Sequence, residues 1–146
     1  GRVIWESNSA VRYLSAKYAA GTLWPNDPGQ RSDADRWMDW QVSMSAAMRG
    51  AFWQTIRTPA EKRDEALVAA SVAATERAAA ILDRHLDGRG FVAGETFTVG
   101  DIAVGCAGHR WMNLPIRREP RRNIERWLER LYERPAARAV LTLPIV

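Results

Sequence analysis

A chain of 146 residues, 47% hydrophobic and 26% charged, has the length and balance of one globular domain rather than of a disordered or fibrous chain. Its formal charge of +4 is built from cations interleaved with acids, as in Arg126-Trp127-Leu128-Glu129-Arg130, so a basic–aromatic array for nucleic acid is not expected. The single cysteine, Cys106, excludes an internal disulfide and fits a reducing, cytoplasmic setting, and no apolar run nears the ~20 residues of a membrane helix.

Arg2 to Trp5 reads as an extended, strand-like stub that runs straight into Glu6-Ser7. From Ser7 to Ala19, Val11, Leu14 and Tyr18 recur at steps of three and four, which predicts an amphipathic helix closed near Gly21. Residues 21–29, rich in Gly, Pro, Asn and Asp, read as a linker. A long helix is predicted from Gln30 to Thr55, with Trp37, Trp40, Gln41, Met44 and Met48 forming an aromatic–Met stripe and Gly50 as a kink or first end. Thr58-Pro59-Ala60-Glu61 has the letters of a capping box with Pro at the first helical position, and predicts a helix to Asp87. Its many alanines suggest a central helix approached from several sides, stopped by Gly88 and Gly90.

Phe97-Thr98-Val99-Gly100-Asp101-Ile102 is the sharpest local signal. Thr98 and Asp101 are spaced for a capping box, and Phe97 and Ile102 for a hydrophobic staple. The helix behind it, to Trp111, is apolar nearly all round and is therefore expected to be buried, where unsatisfied N–H groups cannot turn to water. Asp101 is read as a structural cap, not a catalytic acid. Pro120–Glu133 and Pro135–Leu141 complete the helices. The expected fold is an all-α bundle around one buried, capped helix, with an N-terminal appendage.

On the residues alone, Glu6 and Ser7 read first as a Ser cap beside a solvated Glu, with a ligand site as the second reading. A helix N-terminus with free N–H groups favours a carboxylate, and an adjacent Glu suits an ammonium; a plain Ser cap beside a solvated Glu uses the same letters. The Trp37–Met48 stripe serves either as a ligand wall, as packing or as a subunit interface, and Trp111 with Arg110 either as a pocket floor or as core. Cys106 and His109 share a helical face, but with His85 they fall short of the four ligands of a structural zinc site, so core packing and no metal are expected. Gly88, Gly90 and Gly94 lack the spacing of a phosphate loop.

Three segments together resemble the glutathione S-transferase family, nearest its bacterial theta- or nu-like groups. Trp5 to Leu14 resembles the Glu-Ser turn and helix that close its thioredoxin-like domain. Phe91 to Ala103 resembles the capped buried helix of its C-terminal domain, and Arg126 to Ala136 the late helix and Arg-Pro-Ala turn of bacterial members. The resemblance implies residues 1–20 as a remnant of the thioredoxin-like glutathione-binding domain, 21–29 as linker and 30–146 as the helical C-terminal domain. It implies that Ser7 binds the γ-glutamyl carboxylate of glutathione and Glu6 its α-amino group, and that Trp37, Trp40, Gln41, Met44, Met48 and Trp111 line a pocket for a hydrophobic electrophile. Glutathione is then a co-substrate, no cofactor is needed, the assembly is a homodimer, and the role is detoxifying conjugation. The thiol-activating group is expected in a segment ahead of Gly1, so the 146-residue chain alone is expected to be inactive. Two other readings are a non-catalytic interaction module of the same fold and, more weakly, a basic surface binder with salt-dependent retention.

Overall fold

The structure is a computed structural model that describes residues 1–145; residue 146, the end of the expected helical domain, lies outside the described residues. Among the described residues six α-helices follow one another: α1 (Ser7–Tyr18), α2 (Pro28–Phe52), α3 (Glu65–His85), α4 (Val99–Asn113), α5 (Arg122–Tyr132) and α6 (Pro135–Leu141). Among the described residues there is no strand. Arg2–Trp5 is irregular, with Val3 and Trp5 left exposed, because an extended stub has no ladder to join.

The long second helix starts two residues early. Asp27 caps it by accepting from the Gln30 N–H at 2.8 Å, with Pro28 at the first position. It continues through Gly50 to Phe52, so Gly50 does not end it. A Cβ there would stand 3.0 Å from the Ser71 Cβ and 3.2 Å from a Leu67 methyl, so this glycine lets α2 and α3 touch. Ser71 sits in that contact, accepting from the Ala51 N–H at 2.9 Å and donating to the Ala47 carbonyl at 2.5 Å.

The expected helix start at Thr58 is displaced. Residues Trp53–Arg57 form a π-helical turn, Ala60–Lys62 a single 3₁₀ turn, and α3 begins only at Glu65, with Asp64 accepting from the Leu67 N–H at 2.9 Å. Thr58 is spent closing the π turn, its hydroxyl donating to the Trp53 carbonyl at 3.1 Å. Nor is α3 the centre of the bundle: it buries one stripe, Ser71, Thr75, Ala79 and Leu82, while Ala66, Ala69, Ala70 and Ala73 stay exposed.

The centre is α4, nine of whose fifteen residues are buried. Its glycines demand close neighbours where alanines only permit them. A Cβ on Gly100 would meet the Ala34 carbonyl oxygen at 2.9 Å, and one on Gly105 a Leu131 methyl at 2.7 Å. Around it lie Met44 and Met48 from α2, Leu82 from α3, and Ile124 and Trp127 from α5 in one core. A second, smaller cluster (Ala34, Met38, Val99, Ala103) seats Val11 of α1 and Leu23 and Trp24 of the linker. The apolar surround expected for α4 is incomplete. Cys106 and Arg110 form an exposed edge beside half-buried Ile102, so Cys106 is not a core side chain.

Candidate functional site

The first turn of α1 is an exposed helix end with no side-chain cap. Glu6 occupies the cap position with φ 65° and ψ 121°, in the left-handed region that an L-residue other than Gly enters only at a cost. Its carbonyl starts the helix by accepting from the Ala10 N–H at 3.0 Å, and no side chain caps the end. Glu6 and Ser7 are exposed, with Ser7 the first helical residue rather than the cap. The N–H groups of Ser7, Asn8 and Ser9 therefore point outward without a protein acceptor among the described residues, an arrangement that attracts a carboxylate. An open cleft of about 410 Å³ lies against this end, lined by Arg2, Ile4, Trp5, Glu6, Ser9 and Tyr13.

The turn is held from below. Asn8 donates to the Met38 carbonyl at 2.9 Å and to Gln41 Oε1 at 3.2 Å, and Gln41 in turn donates to Ser45 Oγ at 2.6 Å. One turn further on, Arg12 forks between Asp35 (2.5 Å) and Asp39 (2.6 Å) of α2. Burial lowers the Arg12 guanidinium's affinity for its proton, but the two carboxylates outweigh that and hold it above its ordinary range. Sequence reasoning missed this clamp. Its only signal is polar residues on the α2 face next to the aromatic stripe.

The stripe itself divides. Trp37, Met44 and Met48 are buried in the main core, as is Trp111, because each meets α3, α4 or α5 across the bundle. Side chains enclosed in this way do not face a pocket. Trp40 is half-buried and packs edge-on against Trp37 at 4.9 Å, while Gln41 is committed to Asn8 and Ser45. Phe52, at the end of α2, lies under the Arg110 guanidinium at 5.1 Å, a pairing absent from the sequence reading.

The other named residues are elsewhere. Thr98 and Asp101 form a capping box at the start of α4, far from water. The Thr98 N–H donates to Asp101 Oδ2 at 2.9 Å; the reciprocal half is looser, since the Asp101 N–H also faces the Thr98 carbonyl at 3.1 Å. Asp101 does more than cap: Oδ1 accepts from the Val92 N–H at 2.9 Å and from Trp127 Nε1 at 3.0 Å. Burial pushes its carboxyl above the ordinary range, and these donors pull it back only in part. Phe97, rather than serving only as a staple, lies beneath Arg134 at 3.9 Å and against Phe91 at 5.9 Å. His85 bonds the Val92 carbonyl through Nε2 at 2.8 Å, and His109 bonds Tyr132, so Cys106 and the two histidines are three separate features. Among the described residues no three His, Cys, Asp or Glu side chains gather around one point.

The described residues thus form a bundle centred on a box-capped helix, preceded by a short helix whose exposed first turn begins at Ser7. Residues 65–130 match the family model for the glutathione S-transferase C-terminal domain. Over 144 residues the chain is 40% identical to glutathione S-transferase GstB of Escherichia coli, covering 98% of this chain and 69% of that protein. Glutathione S-transferase D7 of Drosophila melanogaster is 31% identical over 88% of the chain and 57% of its own length. The crystal structure of a theta-class glutathione S-transferase from Xanthomonas axonopodis pv. citri with glutathione bound superposes with a TM-score of 0.95 at 36% identity, over all of this chain and 70% of that one. The chain belongs to the glutathione S-transferase family.

Proposed function

We propose that this chain is part of a cytoplasmic, homodimeric glutathione transferase, and that residues 1–20 complete a thioredoxin-like domain whose earlier portion carries the thiol-activating group. In this reading the γ-glutamyl carboxylate of glutathione sits on the Ser7 hydroxyl and the open N–H groups of α1, and Glu6 takes the α-amino group. The glutathione thiolate attacks an apolar electrophile: a carbon–sulfur bond forms, and the electron pair leaves with the displaced group or settles on the acceptor. Trp40, braced by buried Trp37, is the member of the aromatic stripe available to that electrophile, with Met44, Met48 and Trp111 supporting from behind.

The observation that carries the proposal is the backbone of Glu6. A non-glycine residue at φ 65° beside an uncapped, exposed helix end is strain where relaxed packing has no use for it. The glutathione-bound Xanthomonas relative and the E. coli transferase supply the ligand's identity. Isothermal titration of glutathione tests the reading in the protein that carries the complete thioredoxin-like domain. Ser7→Ala is expected to weaken binding about tenfold, the loss of one hydrogen bond to a charged group. Unchanged affinity would remove Ser7 from the site. The 146-residue chain alone is expected to bind negligibly and to show no conjugation above the uncatalysed thiol reaction.

A further inference from the structure

The far end of α4 opens onto a cleft of about 700 Å³ that no residue of α1 or the linker lines. Its walls are apolar: Ile56 from the π turn, Pro115 after α4, and Leu141, Leu143 and Pro144 from the C-terminal segment. Into these walls are set four polar side chains; the Thr142 hydroxyl is spent on the Arg138 carbonyl at 2.7 Å, which leaves His109, Asn113 and Tyr132. The volume falls within the range of small-molecule sites, and so does the composition, mostly apolar with a few convergent polar groups.

The hydrogen bonds among the three fix what they can offer. His109 Nδ1 lies 2.9 Å from the Tyr132 hydroxyl and 3.2 Å from Asn113 Nδ2. The Asn113 amide nitrogen can only donate, and it also donates to the His109 carbonyl at 2.8 Å, which fixes which end of the amide faces the ring. The geometry favours Nδ1 as acceptor of the Tyr132 hydroxyl, the shorter contact, with the second Asn113 hydrogen shared between Nδ1 and the Tyr132 oxygen. The ring proton then resides on Nε2, for which no acceptor stands among the described residues. Burial and the neighbouring Arg110 both disfavour the charged imidazole, so the ring is neutral at pH 7. With Nδ1 engaged, the Nε2 edge is the part of His109 left to the cleft that it lines.

We propose that this cleft is a second ligand site, for a neutral, apolar, two-ring-sized molecule carrying one strong hydrogen-bond acceptor such as a ketone carbonyl, with His109 Nε2–H as its donor. The Tyr132–His109–Asn113 trio holds the tautomer, and Ile56, Leu143 and Pro144 flank the rings. A carboxylate ligand does not suit it, because the donor is uncharged and the surrounding walls are apolar. The site stands whether or not Glu6 and Ser7 bind glutathione, since the two ends share no residue.

Titrating the ¹⁵N-labelled protein that carries the complete thioredoxin-like domain with benzophenone, and separately with diphenylmethane, tests this by imidazole ¹⁵N shifts. Benzophenone is expected to saturate, to move the His109 nitrogens while leaving those of His85 in place, and to bind about tenfold tighter than the carbonyl-free hydrocarbon. His109→Phe, which keeps the ring volume, is expected to erase that tenfold preference. Equal affinity for the two compounds, His109 nitrogens that do not move, or no saturation overturns the proposal. If the His109 variant fails to fold, the wild-type preference and shift map decide alone.

Discussion

Two helix ends in this molecule are built to opposite rules. At the start of α4 the Thr98, Val99 and Asp101 N–H groups all find acceptors. Asp101 takes three N–H donors (Thr98, Val92 and Trp127) with none of its surface in water, and at the other end Arg118 takes the carbonyls of Trp111, Met112 and Leu114 at 2.7–3.2 Å. At the start of α1 nothing is closed. The cap residue is strained, the first turn is bare, and rigidity comes from beneath through Asn8 and Arg12. A capped end in the core cannot recognise anything, whereas an uncapped end at the surface lowers local stability and keeps its donors for a ligand. Their difference separates the residues that hold the fold from those free to bind.

The largest expected effect is at the closed end. Asp101→Ala leaves two buried backbone N–H groups and the Trp127 indole without acceptors, and should lower the unfolding free energy by at least about 3 kcal/mol in urea titration. A loss below 1 kcal/mol on this scale would place Asp101 outside the structural core. Thr98→Ala removes only the looser half of the box and should cost about 1 kcal/mol. An unchanged melting temperature would show that the Asp101 half suffices. By contrast, Ser7→Ala at the open end should leave the melting temperature in place, since no other residue depends on its side chain.

The smallest effect is with pH. Burial holds both His85 and His109 below the ordinary imidazole range. A base so held takes its proton more readily when unfolded, so its contribution is complete above about pH 6.5 and is lost as pH falls through the folded value. Asp101 has the opposite sign, because its carboxyl is held above the ordinary range, and it regains stability as pH falls toward that range. The melting temperature should decline from pH 7 to pH 5, and decline less in the His85→Gln, His109→Gln double variant. Equal slopes would assign the decline to other groups.

How much of this was legible depended on whether the letters demand a conformation or merely allow it. Thr98 and Asp101 demand the α4 cap, and Phe97–Ile102 marked it correctly in the chain. Thr58-Pro59-Ala60-Glu61 carries the same kind of letters, but the π turn before it claims the Thr58 hydroxyl and Arg63 binds the Thr55 and Thr58 carbonyls, so Asp64 starts the helix instead. The alanines of α3 permit contact without requiring it, which is why α4, with Gly100 and Gly105 in closest approach, is the true centre. At the candidate site, Glu6-Ser7 was visible as a pair of suitable groups. The positive φ of Glu6 was not, since no Gly or Asn announces it, and the Asn8–Gln41 and Arg12–Asp35 clamps join residues far apart in the chain.

The contrast between the two ends is tested most directly at Glu6 itself. In the protein with its thioredoxin-like domain, Glu6→Gly relieves the left-handed backbone while deleting the proposed partner of the α-amino group. Melting temperature and glutathione affinity are measured on the same sample. The account predicts an unchanged or slightly higher melting temperature together with at least about tenfold weaker glutathione binding. A clear fall in melting temperature with glutathione affinity unchanged would contradict it, and would make the start of α1 a structural end like that of α4.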